Sequence, residues 1–118
     1  MGSTYSRPIL TKVDSHAGAT APDSGALAFG AITGTNAATA NTVVTTTTTR
    51  GILEVINASD ADVVLTLDNV SLNLIVRAGQ AKIYDLQQAN VRINGGHALG
   101  VYRRSGAPTT NEVIIQLI

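Results

Sequence analysis

Short apolar runs, each halted by residues that turn the chain, dominate the sequence from residue 51 onward. Ile52-Leu53-Glu54-Val55-Ile56 stops at Asn57-Ala58-Ser59-Asp60, and Val63-Val64-Leu65-Thr66-Leu67 stops at Asp68-Asn69. Leu72-Asn73-Leu74-Ile75-Val76 stops at Ala78-Gly79 and is followed by Ala81-Lys82-Ile83-Tyr84-Asp85-Leu86. Val91-Arg92-Ile93, Ala98-Leu99-Gly100-Val101-Tyr102 and Val113-Ile114-Ile115-Gln116-Leu117-Ile118 complete the series. The stopping residues favour turns because they supply left-handed backbone, a fixed φ or a side chain that bonds the local backbone. Several runs alternate, as in Leu72/Leu74/Val76 and Val91/Ile93, which sends apolar side chains to one face of a strand. No window carries the apolar stripe of a capped amphipathic helix, and only Asp85-Leu86-Gln87-Gln88-Ala89 suggests a helical turn. Many short strands at a pitch of roughly ten residues predict an all-β fold, a single β-sandwich or jelly-roll-like domain.

The first 50 residues have another character. They hold eight Leu, Ile, Val or Phe, against 24 in residues 51–118, and are rich in Ala, Gly, Thr, Ser and Asn. Such a stretch buries too little apolar surface to offset ~1–2 kcal/mol of backbone entropy per residue. The expected division is an extended N-terminal arm over 1–25 and a β-sandwich domain over 26–118, with its best-defined strands in 51–118. The arm is expected to be disordered alone and ordered by a partner. Two weaker segments, 26–33 and 42–49, are expected as edge strands or as strands that pair with another chain. Within the second, the five threonines 45–49 favour extended backbone through β-branching but offer no choice of face, so they specify register weakly.

Composition removes several functions. Eight Lys plus Arg balance eight Asp plus Glu, which leaves no basic footprint for nucleic acid and no attraction to anionic lipid. There is no cysteine, hence no disulfide, thiolate metal site or thiol nucleophile. No apolar run approaches a membrane span, and no basic segment leads into an apolar one as in a secretory signal. Charged residues make up 14% of the chain, which gives its surface little electrostatic protection against association.

Candidate chemistry is sparse. Asp14-Ser15-His16 holds the residue types of a hydrolytic triad, but neighbours in one arm cannot converge as a triad must. His97 reads as a polar residue at a strand edge, with a pH-sensitive contact as the alternative. Asp60-Ala61-Asp62 opens like a calcium loop but lacks its glycine and closing glutamate. Asp60 and Asp68-Asn69 therefore read as turn formers. Glu54 and Glu112 are far apart and form no acid–base pair. Asn94-Gly95-Gly96 is a hairpin signal rather than a phosphate loop. Asn57-Ala58-Ser59 and Asn69-Val70-Ser71 match glycosylation sequons but read more simply as turns. No catalytic, cofactor or metal residue is named, and no cofactor is expected. Residues offered for partner contact are Ile9, Leu10 and Val13 of the arm, Leu27, Phe29 and Ile32 beyond it, Thr45 and Thr47 of the threonine run, and the pair Arg103-Arg104.

The turn motifs from residue 55 to the end carry a resemblance. Asn57-Ala58-Ser59-Asp60 runs into Val63-Val64-Leu65-Thr66-Leu67-Asp68. Ala78-Gly79-Gln80, Asp85-Leu86 and Gly106-Ala107-Pro108-Thr109 follow before the last strand. The pattern covers the C-terminal part of the chain and resembles small β-sandwich virion proteins of tailed bacteriophages. The resemblance implies a structural subunit, either a capsid decoration (cement) protein or a head–tail neck, tail or fibre-attachment component. The implied partners are a major capsid protein or other virion subunits and further copies of the chain, as a dimer or trimer. The implied location is the virion, after synthesis in the host cytoplasm.

The residues alone lead in the same direction. A compact β-domain with an apolar-poor arm and no site chemistry suits an assembly subunit whose arm folds on binding. A glycan- or receptor-binding sandwich is the minor alternative. It is disfavoured because Tyr5, Phe29, Tyr84 and Tyr102 are the only aromatic residues. An enzyme is not expected, since no nucleophile–base pair can be named.

Overall fold

The computed structural model describes residues 21–118. Eight strands occur in chain order: β1 (Asp23–Ala28), β2 (Asn41–Thr45), β3 (Ile52–Asn57), β4 (Val63–Leu67), β5 (Ser71–Val76), β6 (Ala81–Asp85), β7 (Ala98–Arg103) and β8 (Glu112–Leu117). They form two four-stranded sheets, ordered β1-β8-β3-β6 and β2-β7-β4-β5, with every pairing antiparallel. The fold is the all-β sandwich expected from the spacing of the apolar runs.

The order of pairing explains the topology. The tight β4–β5 hairpin is the tip of a long ribbon in which β3 meets β6, β2 meets β7 and β1 meets β8. Rolling that ribbon brings β3 against β8 and β4 against β7, and the two sheets result. This is the jelly roll, in which two Greek keys leave few strand edges open. At the ribbon tip Asp68 and Asn69 both adopt positive φ, 55° and 61°. They are the central residues of a β-turn closed by Val70 N–H donating to the Leu67 carbonyl, whose hand needs left-handed backbone at both positions, and Asp and Asn tolerate it.

Alternation then builds the core. Leu53 and Val55 of β3, Val113, Ile115 and Leu117 of β8, Val63 and Leu65 of β4, and Leu99 and Val101 of β7 point between the sheets and are buried. Ile32 and Ile93 reach the same core from outside the strands. The two thinly apolar segments do form edge strands, β1 in one sheet and β2 in the other. β1 begins at Asp23, three residues before the segment read from the sequence, and its far end gives way to a 3-10 turn over Phe29–Ala31. β2 stops at Thr45, so most of the threonine run is loop.

Two expectations are corrected. Residues 91–93 form no strand: Ile93 makes a single bridge to Arg50. Asn94-Gly95-Gly96 turns the chain, with Gly96 at φ 89°, but does not join two paired strands. It curls around the threonine loop instead, where Gly96 N–H donates to the Thr46 carbonyl and Thr46 N–H donates to that of His97. The helical turn expected at 85–89 is present as Ala89 N–H donating to the Asp85 carbonyl.

Candidate functional site

The two outer faces of the sandwich differ. On the β2-β7-β4-β5 side, Thr66 points away from the core yet is fully buried. Asn69 Nδ2 donates to the carbonyls of Ala38 and Ala40 and so ties the 3-10 turn Ala37–Thr39 to the hairpin tip. Arg103 N–H donates to the Gly34 carbonyl on the same side. Val64 is also buried, between its cross-strand neighbours Ile75 and Tyr102. The chain itself thus covers the part of this face near the hairpin tip, while Ile75 at the β5 edge stays 37% exposed.

The β1-β8-β3-β6 face lacks such a cover among the described residues. Register places Ala26, Ile114, Ile56 and Ala81 side by side in one row across all four strands. The next outward row is Ser24, Gln116, Glu54 and Ile83. Beyond it Ile52 and Ile118 exchange backbone hydrogen bonds of 3.0 Å in each direction, with Asp85 opposite Ile52. Ile83 is 69% exposed, Ile118 55% and Ile52 40%. Five isoleucines therefore face outward on one sheet, and the charges among them are Glu54, Asp85 and Glu112, all acidic. Contiguous exposed apolar surface on a folded domain marks an interaction site, whereas scattered single residues do not.

The edges of the sandwich are managed differently. On the β1–β2 side a Cβ at Gly25 would lie 2.2 Å from the Val43 carbonyl oxygen, so only glycine lets the two strands close the edge. On the β5–β6 side Lys82 Nζ donates to the Ile75 carbonyl at 3.1 Å. An inward-turned charge on an edge strand discourages unwanted strand addition.

The residues offered for partner contact scatter. Ile9, Leu10 and Val13, like Asp14-Ser15-His16, lie outside the described residues. Ile32 is fully buried in its own core and is unavailable to a partner. Leu27 is half-buried and packs against that core. Phe29 stays 41% exposed at the end of β1. Thr45 is exposed, and Thr47 accepts a role within the chain: its N–H and Oγ1 both donate to the Asp23 carboxylate, at 2.8 and 3.0 Å. Arg103 Nε donates to the Ile32 carbonyl at 3.0 Å, and Arg104 pairs with Asp62 at 3.2 Å. Both arginines thus serve the fold, Arg103 through the Ile32 carbonyl and Arg104 through Asp62.

Polar clusters at the loops are likewise internal. Asp62 also receives the Ala78 N–H and lies 3.8 Å from Arg77. The Ala78 N–H and then the Arg104 guanidinium hold its carboxyl below the ordinary aspartate value. Asp60 accepts from the Thr109 hydroxyl and from the Thr109 and Thr110 N–H groups, which lowers its pKa in the same way. His97 Nδ1 lies 2.6 Å from Asp68 Oδ2, with both side chains partly exposed. A surface cleft of about 320 Å³ lies between Arg50, Gln87, Asn90 and Arg92. Among the described residues no group of three or more His, Asp or Glu could hold a metal ion. The outward isoleucine face is the feature that sequence reasoning missed; the signal that could have found it is Glu54, which shares the outward parity of Ile52 and Ile56. No family model, curated protein or solved structure matches the chain.

Proposed function

We propose that this chain is a non-enzymatic structural subunit of a virus particle, a decoration protein that binds and stabilises the head shell of a tailed phage. The observation that carries the reading is the uncovered isoleucine face of the β1-β8-β3-β6 sheet, set on a jelly roll whose opposite face is partly covered by its own chain. Jelly rolls recur in viral capsid proteins and in lectins, so the fold supports an assembly role without selecting it. The resemblance of the turn motifs to tailed-phage virion proteins favours the capsid side of that choice. The loop chemistry agrees, since the polar clusters described above are engaged in holding loops together. A lattice of such subunits gains avidity from repetition and needs no single strong contact.

The test is quantitative mass spectrometry of purified particles of the virus that encodes the chain, joined to particle imaging. A copy number matching the capsid lattice, with density on the head, is the expected result. A copy number matching one axial ring moves the subunit to the neck or tail. Absence from particles overturns the assignment.

A further inference from the structure

We infer that the outward β1-β8-β3-β6 face is the docking surface for residues 5–13 of a second copy of this chain, so that neighbouring subunits are joined by their N-terminal segments. The inference rests on the reading of the chain as an assembly subunit and names the contact through which copies meet.

Three observations carry it. The first is charge. The outward charges of the four strands are Glu54, Asp85 and Glu112, and no Lys or Arg lies among these outward residues. Packing this face on a second copy of itself brings like charges together, which is destabilising. An apolar occupant with positive charge removes that cost. Residues 5–13, Tyr5-Ser6-Arg7-Pro8-Ile9-Leu10-Thr11-Lys12-Val13, combine Ile9, Leu10 and Val13 with Arg7 and Lys12 and contain no acid. They are also the one cluster of large aliphatic residues before Leu27.

The second observation is where the chain leaves the domain. The Ala21 carbonyl accepts from Arg50 Nη2 at 2.9 Å, and the Asp23 carboxylate is held by Arg50 and Thr47. Pro22 lies between them, and the residue before a proline is biased to extended backbone. The exit is therefore pinned at Ala21–Asp23, at the start of the edge strand β1.

The third is reach. Residues 14–21 extended span up to roughly 26 Å, longer than the ~20 Å of a six-residue strand. That length is enough for residues 5–13 of one copy to reach the sheet of a neighbour. The isoleucine rows offer apolar contact, and the acids among them receive the cationic side chains.

The experiment is sedimentation velocity of the full chain over a concentration series, with circular dichroism to confirm that each variant keeps its β-structure. The wild type is expected to self-associate. Ile9→Asp with Leu10→Asp, on the segment, and Ile83→Asp, at an exposed position of the face, are each expected to weaken association by ~tenfold or more, as loss of a buried anchor does. Reversing Arg7 and Lys12 to Glu is expected to weaken it also, and adding Glu54→Lys and Glu112→Lys to that variant is expected to restore it. Restoration requires that the two surfaces meet, which a general effect on solubility does not produce. Association unchanged by the segment substitutions, or a wild type that stays monomeric throughout, overturns the inference. Either result leaves the virion reading standing, because that is decided separately by copy number in particles.

Discussion

Arg50 and Asp23 form an ion pair of 2.8 Å with side chains only 4% and 10% exposed, joining the start of β1 to the loop before β3. Arg50 Nη2 also donates to the Ala21 carbonyl and to Thr47 Oγ1. The pair thus fastens the edge strand with the weakest apolar content to the rest of the domain. Removing one partner of a buried pair leaves the other charge without compensation, which costs more than the pair itself contributes. Arg50→Met is expected to lower the thermal midpoint by roughly 5 °C or more. The double variant Arg50→Met with Asp23→Leu is expected to recover much of that loss. Differential scanning calorimetry of the three chains checks both statements.

Gly25 sits where the two sheets close on each other. A Cβ there would lie 2.2 Å from the Val43 carbonyl oxygen and 3.1 Å from its carbon, both backbone atoms that cannot turn aside. Gly25→Ala therefore forces β1 and β2 apart, and overpacking of this kind typically costs ~1–3 kcal/mol. Gly30→Ala is the control, because nothing lies within 4 Å of a Cβ at that position. Urea unfolding is expected to show a lower midpoint for Gly25→Ala and little change for Gly30→Ala. Equal effects would remove the edge-closure argument.

These two positions also show where the sequence stops being readable. The strands from β3 to β8 were legible because apolar runs and turn residues alternate there. Residues 91–93 misled because Ile93 is buried like a strand residue while it makes only one bridge, to Arg50. β1 contains Gly25 and little apolar weight, so its pairing with β8 comes from tertiary contacts that local propensity does not encode. The burial of Thr46 is decided by distant partners: its Oγ1 donates to the Asn94 carbonyl at 2.6 Å. The candidate site was least legible. Its isoleucines belong to runs that look like core; Glu54 marks the outward parity of Ile52 and Ile56 in the sequence, but only the register shows that they line up with Ile83 and Ile114 on neighbouring strands.

Acid should unfold the domain through its aspartates. Asp23, Asp60, Asp62 and Asp68 are all held below the ordinary aspartate value of 3.8. The leading causes are donated hydrogen bonds, from Thr47 N–H to Asp23, Thr109 Oγ1 to Asp60, Ala78 N–H to Asp62 and Ala98 N–H to Asp68. A carboxylate whose folded pKa lies below its unfolded value contributes stability that is complete above the unfolded value. The contribution is lost as pH falls through the folded one. Stability is therefore expected to be level from neutral pH to about pH 5 and to fall below it. Asp60→Asn keeps an acceptor for the Thr109 N–H but does not titrate, so its stability should start lower and fall less steeply in acid. Urea midpoints measured from neutral to strongly acidic pH decide this, and parallel curves for the two chains would exclude Asp60 from the acid response.

Asn57, which the sequence offers as the first residue of a glycosylation sequon, is fully buried at the end of β3. Its Nδ2 donates to the carbonyls of Ala61 at 2.9 Å and Val76 at 3.0 Å. Its Oδ1 accepts from Ser59 N–H at 3.1 Å and Ser59 Oγ at 2.6 Å. Its backbone accepts from Gly79 N–H and donates to the Gln80 carbonyl. One side chain thus fixes the β3–β4 loop against the end of β5, while the backbone of the same residue fixes the β5–β6 turn. Every polar position of the amide is in use, so the folded chain offers no nitrogen for a glycan. Asn57→Ala leaves these partners buried and unmatched, at a cost of ~3 kcal/mol. Asn57→Asp is expected to cost more, because it turns an acceptor toward two carbonyl oxygens where a donor stood. Ser59→Ala removes one of the four bonds to the amide and should cost ~1 kcal/mol. Chemical denaturation of the three variants gives the ranking, and an Asn57→Asp chain as stable as Asn57→Ala would show that the donor side of the amide is not what the site requires.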